Sequence, residues 1–548
     1  LCYYFSYGSD LSSFPGIDAG ARLGYIPIGK IMLIVKALAG TGKTTTSMFG
    51  LGQKVPATMK MSDEQKAVIK RMRSFKWQSC AAMAFNSNIA KELAQRVPSG
   101  VVAATANAFG NRAWLAHLNI SNLQPNPNKN RVIYRDLAAD VDRQERYKME
   151  GDVDQLVSLC KSYLLEPDHE NLVFLSDKFD IEFDLEVFEW ARKVFFKGVE
   201  EKTHIDWNDQ IFMPLYHGVK IPQYDHVLVD ELQDLPIAKQ ELVFRMSRLA
   251  ISGIGDENQA IYGFSGADSE AMVTFGERMK NCLSKDISKN YLGCYGYEEL
   301  PLTITRRCPK AVVEYANRYV PTLRAAPNAP EGSVTSEREG EFLESMCKDI
   351  RGRMVLCRVN APLTSLAFKM IARGRRCYIQ GKDIGTGLKR EVQKSDEQDI
   401  SRAVSKAVAR IEKKISELGE KPFVDDSKVS ALQDRIMCLN ILSQDCSTVS
   451  DFVAKVDGLF KESGSPNDVQ LSSVHKAKGL EHKHVCIYKP SKLPMIFPAK
   501  KGKKGQTPMQ IQQEKNLAYV AYTRSMDKLT IVSEEEEPKH NYKRDYDE

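Results

Sequence analysis

The residues most able to do chemistry begin with a glycine-rich run, Ala37-Leu38-Ala39-Gly40-Thr41-Gly42-Lys43-Thr44-Thr45, directly behind the apolar stretch Ile31–Val35. A strand feeding such a loop lets backbone N–H groups wrap a triphosphate, and a helix starting near Thr44 aims its N-terminal dipole at the phosphates. Ala39, Gly40, Thr41, Gly42, Lys43, Thr44 and Thr45 are therefore nucleotide-binding candidates. Lys43 would reach the β- and γ-phosphates of ATP, and the Thr44 hydroxyl would hold Mg2+. Ala37 stands where the general pattern has Gly, a variant found in a subset of nucleotide-driven motors. Alone, the loop implies NTP binding without saying what the NTP drives.

A second group is Val227-Leu-Val-Asp230-Glu231-Leu-Gln233-Asp234, an apolar strand ending in adjacent carboxylates. Asp230 suits Mg2+ binding, and Glu231 suits orienting and deprotonating the attacking water. A third, Gly255-Asp256-Glu-Asn-Gln259-Ala-Ile-Tyr262-Gly-Phe264-Ser-Gly-Ala267, follows the apolar run Ala250–Gly253. Gln259 can sense a γ-phosphate, while Tyr262 and Phe264 are loop aromatics able to stack on the bases of a single strand, or else core residues.

The elements that must position these groups read as short β-branched runs: Ile31–Val35, Ser79–Ala84, His226–Val229, Ala250–Gly253, Arg353–Cys357, Cys377–Gln380, His484–Tyr488 and Lys528–Val532. Helix-patterned stretches between them, such as Ser87–Arg96, Lys310–Arg318 and Pro362–Ala372, imply an α/β fold with parallel sheets. Far more residues separate Lys43 from Asp230 than one nucleotide-binding core needs, so the charged, helix-patterned span 119–202 reads as an insertion into the first sheet domain, residues 31–118 and 203–290. A second α/β region, 291–394 and 466–533, is interrupted by a small helical span, 395–465. Residues 1–30 form an uncertain N-terminal segment that begins with Leu1 rather than Met, and 534–548 form a charged tail.

The 548 residues carry a net charge of +6, which permits a nucleic-acid partner without arguing for one. Twelve cysteines lack any metal-ligand spacing, which favours a reducing, cytoplasmic setting and speaks against zinc or iron–sulfur sites. No apolar run approaches the roughly 20 residues that span a bilayer. The basic run Lys500–Lys504 is the most suggestive local charge feature, though such runs are commonly solvated loops.

The ordered set AGTGKT, DELQD, GDENQAIYGFSGA, VHKAKGLE and VAYTR resembles the UvrD/Rep-like superfamily 1 DNA helicases, of the small phage or bacterial type, from about Ile31 to Val532. The resemblance implies two RecA-like P-loop domains that clamp ATP and move along single-stranded DNA with 3′→5′ polarity. It places Arg307 of Thr305-Arg-Arg-Cys-Pro309 on the γ-phosphate, makes Arg524 of Val520-Ala-Tyr-Thr-Arg524 an arginine finger, and has Glu481 contact the ribose or neighbouring cleft residues. Gln259 would couple the γ-phosphate to the DNA-binding loop. Phe85 and Asn86, Thr105, Tyr262, Phe264 and His475 would face DNA. Trp207, in the segment before the Asp230 strand, either stacks on a base or packs at the insertion boundary. Single-stranded DNA and duplex junctions are the implied partners, with replication or repair proteins beside them, a monomeric state and no membrane.

Three positions depart from the family pattern. The family reads adenine with a Gln some twenty residues before the phosphate loop, whereas here Ser62-Asp-Glu-Gln65 lies after it. Gln65 either folds back towards the base or serves only to cap a surface helix over Ser62–Met72. Arg306 stands where an aromatic commonly stacks on adenine, and Asn107 where a His is usual. Weakened base selectivity is the expected consequence. The competing functional readings are a nucleic-acid-binding switch or degraded helicase without motor activity, and a translocase that strips proteins from DNA without unwinding it.

Overall fold

The computed structural model describes residues 31–84, 86–179, 181–261, 270–284, 296–349, 351–371, 373–380, 382–419, 426–461, 464–497 and 506–534. The segment 1–30, the Lys500–Lys504 run and the tail beyond residue 534 lie outside the described residues. Alternating apolar strands and helices build two parallel α/β sheets of RecA-like type, in two compact units that divide after Thr303.

In the first unit the strands are β1 (Ile31–Ala37), β2 (Cys80–Ala84), β3 (Val101–Thr105), β4 (Tyr224–Val229), β5 (Ser247–Gly255) and β6 (Tyr297–Leu302). Their order is β3-β2-β4-β5-β1-β6, every pair parallel. Central strands such as β1 and β4 are buried along most of their length because helices cover both faces of the sheet. In a parallel sheet the loops leaving the carboxyl ends gather on one edge, the usual place for a ligand. The loops after β1, β4 and β5 therefore bring Lys43, Asp230 and Gln259 to one rim. Strand β6 was not legible, since Glu298, Glu299 and Pro301 break up any apolar run in Tyr297-Glu-Glu-Leu-Pro-Leu302, which an edge position allows. Its pairing with β1 moves the boundary between the units from the expected residue 290 to Thr303.

The first unit's helices are α1 (Lys43–Gly50), α2 (Asp63–Arg73), α3 (Ser87–Arg96), α4 (Ala106–Leu118), α5 (Lys129–Leu137), α6 (Arg143–Tyr163), α7 (His169–Phe179), α8 (Leu185–Glu200), α9 (Asp209–Tyr216), α10 (Ile237–Met246) and α11 (Ala271–Ser284). Along α6 and α8, Val153, Leu156, Val157 and Cys160 meet Val187, Ala191, Val194 and Phe195 at helical spacing. That core runs on without a break to Met32, Met83 and Val227, so one face of the sheet and the helical span are packed together.

At the foot of the helical span lies a buried charge cluster. Lys161 Nζ donates to Asp206 Oδ2 at 2.7 Å and to Asn130 Oδ1 at 3.1 Å, and its ammonium lies 2.8 Å from Asp209 Oδ1. Lys129 Nζ donates to Asp209 Oδ2 and to the Gly198 carbonyl, each at 2.7 Å. The two aspartates also accept each other's backbone N–H groups, at 3.1 and 2.7 Å. Burying charge is tolerated here because each charge has an opposite partner and further hydrogen bonds.

In the second unit, β7 (Ile304–Thr305) pairs with β8 (Arg324–Ala325). A larger sheet comprises β9 (Ser333–Arg338), β10 (Met354–Cys357), β11 (Cys377–Gln380), β12 (Phe460–Lys461), β13 (Val469–Ser473), β14 (His482–Tyr488) and β15 (Ser525–Ser533), in the order β12-β11-β13-β10-β14-β15-β9. Helices Lys382–Gln393, Ile400–Gly419, Asp426–Ser443 and Val449–Leu459 connect β11 to β12. Ala403, Ala407, Leu439, Phe452 and Val456 from these helices share one core with Leu363, Leu366 and Met370 beside the sheet. The span 395–465 thus packs into the sheet's own core and ends by adding β12 to its edge.

Candidate nucleotide site

The loop after β1 has the backbone that a phosphate cradle needs. Gly40 and Gly42 adopt φ of 70° and 81°, left-handed values that only Gly takes without strain. Thr41 is turned inward, its hydroxyl donating to the Leu38 carbonyl at 2.8 Å. Helix α1 then starts at Lys43 with no side chain capping its first N–H groups, which leaves them for an anion. Thr45, counted among the nucleotide-binding candidates, accepts a hydrogen bond from Arg96 Nη2 at 3.1 Å.

The loop after β4 delivers the carboxylates to this cradle. Lys43 Nζ lies 3.3 Å from Glu231 Oε2, and Thr44 Oγ1 donates to Asp230 Oδ2 at 3.1 Å. Glu231 takes the left-handed region at φ 53°, a conformation costing a non-Gly residue about 1–2 kcal/mol. From Glu231 a chain of bonds runs through a residue to which sequence gave no role. Gln233 Nε2 donates to Glu231 Oε2 at 2.6 Å, and Gln233 Oε1 accepts from the Asp256 N–H at 2.9 Å. Gln259 Nε2 then donates to Asp256 Oδ2 at 2.6 Å. A Cβ on Gly255 would meet Gln233 Oε1 at 2.6 Å, so this close approach requires glycine.

The electrostatics are lopsided. Burial opposes the charge of Lys43, but Glu231, Asp256 and Asp230 outweigh it and hold its pKa above the ordinary lysine value. Burial, then the neighbouring Glu231 charge, pushes Asp230 up to about 6 against the pull of Lys43. Burial likewise raises Asp256. One ammonium facing three carboxylates is a site short of positive charge. Among the described residues no three or more His, Cys, Asp or Glu side chains form a metal cluster. The Thr44 hydroxyl and Asp230 carboxylate, in direct contact, instead fit a Mg2+ that keeps most of its ligands as water and phosphate oxygen.

In the second unit, three segments meet. Arg307 Nε donates to Glu481 Oε2 at 2.6 Å and its Nη1 to the Thr523 carbonyl at 3.4 Å. Arg524 is 1 % exposed, with Nε on the Val520 carbonyl at 2.8 Å and Nη1 on the Leu480 carbonyl at 3.2 Å. The structure therefore engages Glu481 with Arg307 and turns Arg524 inward onto main-chain carbonyls.

Of the residues expected to face DNA, Phe85, Tyr262 and Phe264 lie outside the described residues. Asn86 Oδ1 caps α3 by accepting from the Ile89 N–H at 2.9 Å, and Thr105 Oγ1 caps α4 by accepting from the Ala108 N–H at 3.1 Å. His475 is half-buried, and burial, with Arg358 and Lys478 nearby, lowers its pKa to about 4, so it is neutral at pH 7. Trp207 is 55 % exposed on the turn above the Lys129–Lys161 cluster, which answers the choice between surface and core. Asn107 Nδ2 donates to the Trp207 carbonyl at 2.7 Å.

Gln65 does fold back. It completes a capping box with Ser62 at the start of α2, and its amide reaches the phosphate loop. A capped helix over Ser62–Met72 was legible from sequence; its place beside the loop was not.

Residues 27–280 match the family model described as the UvrD/REP helicase N-terminal domain, and residues 277–536 match that described as the UvrD-like helicase C-terminal domain. Over 364 residues the chain is 23% identical to F-box DNA helicase protein 1 of Schizosaccharomyces pombe, a match covering 60% of this chain and 37% of that protein. Among the described residues no helix is long and apolar enough to cross a membrane.

Proposed function

The chain belongs to the UvrD/Rep-like helicases, and on that premise we propose that it hydrolyses ATP with Mg2+ to move along single-stranded DNA and unwind duplex, in the 3′→5′ direction. The observation that carries the reading is the meeting of Lys43, Thr44, Asp230 and Glu231 behind a loop with two left-handed glycines. A protein that only bound nucleotide would have no need of a carboxylate held as Glu231 is.

In this reading Gly40 to Thr44 bind the phosphates, and Lys43 exchanges its contact with Glu231 for phosphate oxygens. Glu231, so released, orients the water and takes its proton. Thr44 and Asp230 would hold Mg2+, whose chemistry when bound is to neutralise phosphate oxygens. Gln233, Asp256 and Gln259 pass the state of Glu231 along the sheet edge. Arg307 and Arg524 supply positive charge to the transferred phosphate. Trp207 offers a base a stacking surface, worth about 1–3 kcal/mol per base. Single-stranded DNA and duplex junctions are the proposed substrates, with a monomer as the working state and replication or repair as the setting.

A second reading, an NTP-binding switch without motor work, is favoured by one observation: Arg524 is turned onto internal carbonyls. An ATPase assay with and without single-stranded DNA, followed by strand displacement on 3′- and 5′-tailed duplexes, decides. DNA-stimulated turnover with displacement of the 3′-tailed substrate supports the motor. Nucleotide binding without DNA-stimulated turnover supports the switch.

A further inference from the structure

We propose that the first turn of α2 is a brace for the phosphate loop, with Gln65 as a positioning residue that sets the loop for a triphosphate whatever base it carries; the proposal rests on the nucleotide-site reading above. Gln65 is 6 % exposed and comes from a helix that starts well after the loop. Its Nε2 donates to the Thr41 carbonyl at 3.3 Å and to Thr46 Oγ1 at 3.1 Å, while its Oε1 accepts from the Ser62 N–H at 3.2 Å. A carbonyl can only accept, so Thr41 fixes which end of the carboxamide faces the loop. Thr41 and Thr46 lie on either side of Gly42 and Lys43, and a Cβ built on Gly42 would be 3.2 Å from Gln65 Nε2. The amide therefore supports the loop at the point where its backbone turns left-handed.

The brace is itself anchored. The neighbouring Glu64 accepts from the Thr303 N–H at 2.7 Å and from Thr303 Oγ1 at 2.6 Å, tying the same helical turn to the end of β6. The Leu38 N–H donates to the Leu302 carbonyl at 2.9 Å, so loop and strand end are joined a second time. With its oxygen on the cap and its nitrogen on the loop, Gln65 acts on the phosphates through the loop rather than on the base.

Two variants separate positioning from helix stability. Gln65→Glu keeps an oxygen for the cap, where Glu is as suitable as Gln, but sets a carboxylate against the Thr41 carbonyl. Ser62→Ala removes the cap and keeps the amide on the loop. The measurements are KM for ATP and GTP in the full chain with single-stranded DNA, and calorimetric binding of inorganic tripolyphosphate with Mg2+. Gln65→Glu should raise both KM values and weaken tripolyphosphate by the same factor, about tenfold, the equivalent of ~1.4 kcal/mol. Ser62→Ala should lower Tm and leave all three within about twofold, less than the ~0.6 kcal/mol of thermal energy. A change confined to ATP would overturn the brace in favour of a base reader, and equal losses in both variants would overturn it in favour of a merely structural role. A wild-type chain that binds neither ATP nor tripolyphosphate would instead remove the nucleotide-site reading, and the brace with it.

Discussion

Lys43 and Lys161 both sit among carboxylates in the first unit, and the two settings differ in count and in closure. Around Lys161 two ammonium groups, its own and that of Lys129, meet two aspartates, and the remaining polar atoms bond Asn130, Gly198 and the local backbone. Lys161 and Asp209 are each 0 % exposed at the side chain. Around Lys43 one ammonium faces Asp230, Glu231 and Asp256. Its side chain and that of Glu231 keep 11% and 21% exposure. The first cluster is neutral and sealed, which suits holding helices together. The second has surplus negative charge and an opening, which suits receiving Mg2+ and a nucleotide. Residue type alone does not separate structure from function here; charge balance and access do.

The sharpest way to break the comparison is Glu231→Gln. If the open cluster is catalytic, DNA-stimulated turnover should fall by about 10²–10⁴-fold while NTP affinity and Tm stay close to wild type. Near-wild-type hydrolysis would remove Glu231 as the base. The converse change is Lys161→Met, which leaves Asp206 and Asp209 buried with too little positive charge. A loss of about 3–5 kcal/mol in denaturant unfolding is expected, because the uncompensated charges must be buried or protonated. A loss below about 1 kcal/mol would mean that the sealed cluster is not holding the helical span.

Asp256→Asn tests the surplus of charge with a smaller effect. Removing one of the three carboxylates near Lys43 should leave stability unchanged or raised by up to about 1 kcal/mol. Turnover should drop about tenfold, since the Asp256 carboxylate holds Gln259. If stability fell as far as in Lys161→Met, the two clusters would be of one kind.

Sequence revealed the open cluster far better than the sealed one, for a physical reason. Lys43 and Thr44 adjoin glycines that fix the loop, and Asp230 and Glu231 end an apolar strand, so each chemical group is tied to a local backbone signal. Lys129, Lys161, Asp206 and Asp209 come from separate helices and a turn, with nothing local to mark them as buried; on an amphipathic helix a lysine ordinarily faces water. Gln65 stayed between two readings for a related reason. Its capping box was readable, but which side of the loop the helix would occupy depends on the packing of α2 against α1 and β6. Strands β1, β4 and β14 were plain as apolar runs, whereas β6 and β9, rich in Glu and Ser, became strands only through their neighbours. Asn86 and Thr105 show a role that went unread. Polar residues at strand ends suit a ligand, and the same side chains cap the helices that follow.

The weakest expected effect distinguishes the clusters through acid. In the sealed cluster burial favours the neutral form of Asp209, but Lys161 and Lys129 outweigh it and hold the carboxyl below its usual range. A folded pKa below the unfolded one gives stability that is present above the ordinary carboxylate value near 3.9 and lost as pH falls through the folded value. Histidines add an earlier decline. Burial holds His226 and His484 down at about 3, so the folded chain resists protonating them, and stability begins to fall below their unfolded value of about 6.5. Asp209→Asn retains those histidines and removes only the carboxyl. Between pH 4 and pH 2 its unfolding free energy should therefore fall less steeply than that of wild type, by up to about 1.4 kcal/mol per pH unit, while from pH 7 to pH 5 the two slopes coincide. Parallel curves throughout would show that Asp209 titrates alike in the folded and unfolded chain, whereas a wild type that gains stability over the variant as pH falls from 7 to 5 would show Asp209 already neutral when folded, leaving the sealed cluster with surplus positive charge.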